Sequence, residues 1–193
     1  MSFTFHPLEI PDVVLVRSRR HIDDRGAFAE VYREEAFRDG GIDVRFVQDN
    51  LVRSVHGVLR GLHYQLPPQA QGKLVGVARG RIWDVAVDLR RGGPTYGKWV
   101  ARVLDAEHGE LLWIPPGFAH GYCVLSETAD VMYKVTAPYA AELNRGLRWD
   151  DAELGIPWPV SDPALSDADR AQPDFDRCDN PFQIRNEDDS GAG

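Results

Sequence analysis

The sequence predicts an all-β sandwich or barrel, and three observations predict it. Short runs of strand composition recur at roughly 8–12-residue spacing along the 193-residue chain. Turn chemistry separates those runs, and helical periodicity is almost absent. No internal repeat is evident.

The elements follow in order. Residues 8–17 (LEIPDVVLVR) contain a β-branched run and read as a strand. Asp23-Asp24-Arg25-Gly26 is a turn signal. Residues 27–32 (AFAEVY) resume as a strand, with Phe28 and Glu30 on one face. Glu34 to Asp39 reads as a short helix, stopped by Gly40-Gly41. Residues 44–52 (VRFVQDNLV) alternate and put Gln48 and Asn50 on one face. Next comes Val58-Leu59-Arg60-Gly61-Leu62-His63-Tyr64-Gln65, ended by Pro67-Pro68. Residues 73–78, 81–89 and 99–104 are strand-like, with turns at Arg79-Gly80 and Arg91-Gly92-Gly93-Pro94. Glu110 to Ile114 leads through Pro115-Pro116-Gly117 into Phe118-Ala119-His120-Gly121, and residues 122–125 and 130–136 complete the series. Beyond Pro138 the chain reads as irregular and pinned by Trp149 and Trp158, with a short helix over 166–171. Residues 1–182 are expected to form a single domain, and 183–193 a polar, disordered tail.

Bulk composition excludes several functions. Hydrophobic content of 43% and charged content of 27% are ordinary for a soluble globular protein. A net charge of -8 disfavours nucleic acid or an anionic membrane as partner. An anionic small substrate stays possible if Arg and Lys gather locally. The two cysteines, Cys123 and Cys178, form no CxxC, so neither a disulfide framework nor a thiolate metal site is expected. No apolar run reaches membrane-spanning length and no leader pattern opens the chain, so a cytoplasmic address is expected.

The octapeptide around His63 is the central stretch. In a regular strand His63 and Gln65 share one face, and Arg60, Leu62 and Tyr64 the other. Gly61 allows close approach of another group to the backbone. A strand-held imidazole beside a fixed cation suits proton abstraction from an anionic substrate. Such a base needs an orienting carboxylate, and Asp169 is a candidate, although Ser166-Asp167-Ala168-Asp169 also has the form of a helix-capping box. Inversion needs an acid on the opposite face, and Tyr133, in a strand with Val131 and Val135, is a candidate. Lys73 could stabilise an enolate oxygen. Arg25 and Arg60 could grip phosphate with their forked guanidinium groups.

The His63 strand with the later Pro115-to-His120 run resembles the cupin barrels. Gln65 occupies the place where metal-binding cupins carry a second histidine, and no Glu follows within five residues. An amide is a poor ligand for zinc, iron or copper beside imidazole. A metal-dependent cupin is therefore an alternative, and no metal is expected.

A wider set of matches is more specific: Asp24-Arg25-Gly26 with Phe28 and Glu30, Gln48-Asp49-Asn50, Gly57 to Gln65, Lys73-Leu74-Val75, Asp84 to Arg90, Trp113 to Gly121, Tyr133-Lys134, Tyr139, Trp149-Asp150-Asp151 and Ile156 to Pro159. Through these the chain closely resembles the dTDP-4-dehydrorhamnose 3,5-epimerases over roughly residues 23–170. The resemblance implies a double-stranded β-helix (jelly-roll) barrel, a homodimer, no cofactor, and a 4-keto-6-deoxyhexose on dTDP as substrate. It implies that His63 is the base, Asp169 its partner and Tyr133 the acid. It also implies that Lys73 faces the 4-keto oxygen, and that Arg25, Glu30, Gln48, Asn50, Arg60, His120, Tyr139 and Asn144 contact the substrate. Two positions depart from many relatives: Asn144 stands for a Glu, and Ala168 for a Lys. Epimerisation at one carbon only, in an antibiotic-sugar pathway, is the alternative within the same chemistry, and a non-catalytic sugar-binding module is a third reading.

Overall fold

Apolar side chains at every second position give each strand a buried face, and pairing those faces builds two opposed antiparallel sheets. In the computed structural model, which describes residues 2–184, a six-stranded sheet runs in the order β1 (Phe3–Pro7), β2 (Val14–Ser18), β10 (Glu110–Ile114), β7 (Lys73–Arg79), β12 (Thr128–Val135) and β5 (Gln48–Val55). A five-stranded sheet runs β13 (Asn144–Gly146), β6 (Leu59–Gln65), β11 (Phe118–Val124), β8 (Arg81–Asp88) and β9 (Trp99–Asp105). A separate hairpin pairs β3 (Arg20–Asp23) with β4 (Gly26–Ala29). Among the described residues, helix is confined to α1 (Glu34–Asp39), α2 (Asp167–Arg170) and two single 3-10 turns. The all-β two-sheet architecture is the one the sequence predicts.

The central core lies between the sheets, where Leu15, Val75, Leu112 and Val131 meet Ile82, Ala86, Val100 and Val124. Each outer face is also covered over part of its area. Leu62, Tyr64, Val85 and Ala119 pack under the irregular segment through Leu147, Ile156 and Phe175. Phe37 from α1 packs with Phe3, Val16, Leu111 and Trp113 on the six-stranded sheet. Covering on both sides explains why β11 is buried at every position and reads as a continuous apolar run.

Several expectations shift in register. Strand β2 starts at Val14, not at residue 8, because Leu8 N donates to the Val13 carbonyl and Val13 N to that of Ile10, closing a turn around Pro11. The helix over 34–39 matches, with Gly40 N–H bonded to the Ala36 carbonyl and Gly41 at φ +89°. Trp158 Nε1 donates to the Trp149 carbonyl at 2.7 Å, so the indoles do pin the late segment. Gln183 bridges to Arg91, and residues 185–193 of the expected tail lie outside the described residues.

The largest difference sits at Gly61. His120 pairs with His63 and Tyr122 with Arg60, so β6 uses three steps where β11 uses two. That is a β-bulge, and one extra residue reverses the face of everything beyond it. Arg60 therefore lines the same cavity as His63, not the opposite face. Only glycine fits the bulge: φ is +121°, and a Cβ at Gly61 would stand 2.5 Å from Gly121 Cα and 2.7 Å from the His120 carbonyl oxygen. The close approach expected of Gly61 is thus to the neighbouring strand.

Candidate active site

A cavity of about 320 Å³ opens between the sheets at the level of the bulge. His63 and Arg60 of β6, His120 and Tyr122 of β11, Lys73 of β7, Tyr133 of β12, Asn144 of β13 and Asp169 of α2 all line it. Register explains the convergence. His63 and His120 are direct partners, as are Tyr133 and Val75, two residues along from Lys73 on the same face.

His63 Nε2 lies 2.5 Å from Asp169 Oδ1. A carboxylate only accepts, so Nε2 carries the proton and Nδ1 keeps the lone pair of the neutral ring. The His63 side chain is 35% exposed and that of Asp169 6%, which leaves the imidazole reachable and its partner shielded. Ser166 caps α2 in both directions. Its Oγ accepts from Asp169 N at 3.1 Å and donates to Asp169 Oδ2 at 2.7 Å. Burial would raise the Asp169 carboxyl, but hydrogen bonds from His63 and Ser166 outweigh it and hold the group below the ordinary carboxylate range.

Lys73 Nζ donates to the His63 carbonyl oxygen at 3.4 Å. Burial pulls its ammonium down to about 8, against the charge of Asp84, which acts to raise it. Burial pushes the Tyr133 phenol up, with Arg60 opposing. Arg60 Nε is held by Ser54 Oγ at 3.0 Å, with the rest of the guanidinium left for another acceptor. A base with its partner, a phenol that stays protonated, and a cation thus share one cavity. Such a set can remove a carbon-bound proton, stabilise the resulting oxyanion and return a proton.

The family model for dTDP-4-dehydrorhamnose 3,5-epimerase matches residues 7–177. A dTDP-4-dehydrorhamnose 3,5-epimerase of Sinorhizobium fredii is 51% identical over 94% of this chain and 93% of its own length. That of Pseudomonas aeruginosa is 55% identical over 84% of this chain and 91% of its own. The chain belongs to the dTDP-4-dehydrorhamnose 3,5-epimerase family. The crystal structure of a dTDP-6-deoxy-D-glucose-3,5-epimerase from Legionella pneumophila, in complex with dTDP-4-keto-L-rhamnose, superposes with a TM-score of 0.91 at 40% identity, covering 95% of this chain and 100% of that one. The shared fold is the jelly roll that the resemblance implied.

Of the site residues that the resemblance implies, five stand outside the cavity. Gln48, Asn50 and Tyr139 form one group beside it. Gln48 Nε2 donates to Asn50 Oδ1 at 2.9 Å, Gln48 Oε1 accepts from Tyr139 N at 3.1 Å, and Asn50 pairs with Tyr133 across β5 and β12. Arg25 and Glu30 are further off. Arg25 sits in the β3–β4 turn, paired with Asp23 at 2.6 Å and with its side chain in solvent, and Glu30 lies 3.7 Å from Arg33. Three residues of the site escaped the sequence reading: Tyr122, Ser166 and Asp84. Tyr122 is a core position by pattern, and Ser166 reads only as a cap. Asp84 lies behind His120, with Oδ2 2.9 Å from His120 Nε2. The signal available for it was a carboxylate on the inward face of an apolar strand.

Proposed function

We propose that this protein converts dTDP-4-dehydro-6-deoxy-D-glucose to dTDP-4-dehydro-L-rhamnose by inverting carbons 3 and 5, in dTDP-rhamnose biosynthesis. The observation that carries the reading is the shared cavity of the His63–Asp169 pair, Tyr133 and Lys73. His63 Nδ1 takes the proton from carbon 3 or 5, and the bonding pair moves onto the 4-keto oxygen. Lys73 favours that charge as it develops. Tyr133 then delivers its phenolic proton to the other face, and water restores both groups. The ketone lies between the two carbons, so one electron sink serves both and no cofactor is required. His120 and Asn144 are assigned to the sugar, and Arg60, Arg25, Glu30, Gln48, Asn50 and Tyr139 to the nucleotide and sugar grip.

We also propose a homodimer. Arg25 and Glu30 belong to the hairpin arm and its base, and Ile22 and Phe28 on that arm are 75% and 70% exposed. Leu51 and Met132, direct partners on β5 and β12, form an exposed apolar patch flanked by the Arg53–Asp130 and Lys134–Asp49 ion pairs. Apolar surface inside a charged rim favours a protein partner. A second copy seated there would cover it and could receive the arm. The cytoplasm is the proposed compartment, consistent with Cys123 and Cys178 as free thiols.

Incubation with the 4-keto sugar nucleotide in heavy water tests the reaction. Deuterium at both carbons supports the 3,5-epimerase, label at one carbon supports the single-site reading, and no label contradicts both.

A further inference from the structure

Asp84 is a buried carboxylate at the wall of the cavity that the reaction above does not use. It projects from the middle of β8 and its side chain is fully shielded from solvent. Asp84 pairs with Tyr122 across β8 and β11, and Ala86 with His120, so Asp84, Tyr122 and His120 face inward together. Oδ2 binds His120 Nε2 at 2.9 Å, and Oδ1 has no hydrogen-bond partner among the described residues. A buried, half-unsatisfied carboxylate is costly unless a positive charge stands near it. The charged and titratable groups that face this region are His63 and Arg60 from β6, His120 and Tyr122 from β11, Lys73 from β7, Tyr133 from β12 and Asp169 from α2. Asp169 is already committed to His63 and Ser166.

We propose that Asp84 is a positioning residue: it locks His120 with the proton on Nε2. The ring is thereby a hydrogen-bond acceptor toward the cavity through Nδ1, suited to a sugar hydroxyl and not to the oxyanion. Burial lowers the His120 imidazole, and Lys73 and His63 add to that while Asp84 opposes it, so the neutral form is the one presented. A single buried anion thereby separates the role of His120 from that of Lys73 in the same cavity.

The proposal rests on the epimerase reading, and its test separates the two. Long-range proton–nitrogen NMR of the wild-type protein is expected to show His120 protonated at Nε2. Asp84→Asn is nearly isosteric, removes the charge and can donate as well as accept. Its His120 is expected to lose the exclusive Nε2 proton, and KM for the 4-keto sugar nucleotide to rise about tenfold as the acceptor toward the sugar is lost. Affinity for dTDP alone, whose assigned contacts lie on other residues, should stay within about twofold, confirming a folded site. A wild-type His120 protonated at Nδ1, or an Asp84→Asn protein with the wild-type tautomer and KM, overturns the proposal. Should Asp84→Asn fail to fold, the wild-type tautomer decides. Absence of exchange in the wild-type enzyme would contradict the epimerase reading and leave the tautomer result standing.

Discussion

Both carboxylate oxygens of Asp169 are occupied, Oδ1 by His63 and Oδ2 by Ser166, so the His63 ring, the proposed base, is oriented through a side chain that is itself fixed. Ser166→Ala removes that restraint together with the α2 cap. It is expected to cost about 1 kcal/mol in denaturant unfolding and to lower kcat with little change in KM, because the ring would remain present but less well aimed. Equal kcat with the stability loss would reduce Ser166 to a cap. The sequence could show the Ser166-x-x-Asp169 pattern, and Asp169 serves both of its readings, with its backbone N–H on the Ser166 cap and its side chain on His63. Asp84 was not legible in the same way. Asp88, four residues on in the same strand, is equally buried, yet it is taken up by Arg90 and Thr95. A carboxylate in an apolar strand therefore marks a buried partnership, and only the fold tells which partner lines the cavity.

At the scale of elements, the strands and turns were readable because alternation and glycine punctuation are local. The bulge in β6 was not, because it depends on which strand lies alongside. Regular alternation placed Arg60 away from His63, and the extra residue at Gly61 brings it back. Strand β13 was also missed: three residues pairing only with β6 leave no periodic trace. Gly61→Ala places a methyl group against the Gly121 backbone at a φ of +121°. It is expected to destabilise the fold by at least about 2 kcal/mol, read as a lowered Tm, and to misplace Arg60 and His63 together. A variant of wild-type stability and activity would show that the strands can separate there without cost.

At the scale of the whole molecule, two facing sheets bring together groups from six elements, and their charges are set jointly. Lys73, lowered to about 8 by burial, is charged below that pH and loses its proton above it. The kcat profile is therefore expected to fall on the basic side near pH 8, while the upshifted Tyr133 stays protonated through the same range. A profile flat to pH 10 would remove Lys73 from the reaction. The exposed Leu51 and Met132 patch predicts sedimentation at twice the chain mass, and Leu51→Glu should shift the protein toward the single-chain mass by placing an unpaired charge in the contact. A wild-type protein that sediments as one chain would contradict the dimer.

The claim on which the rest depends is that proton removal and proton return are carried out by separate residues on opposite faces of one sugar. Heavy-water exchange compared between His63→Asn and Tyr133→Phe tests it most directly. His63→Asn is expected to reduce deuterium entry at carbons 3 and 5 by roughly a hundredfold or more, whereas Tyr133→Phe should still admit label but fail to invert the carbons that take it up. Normal labelling by His63→Asn, or normal inversion by Tyr133→Phe, would contradict the account.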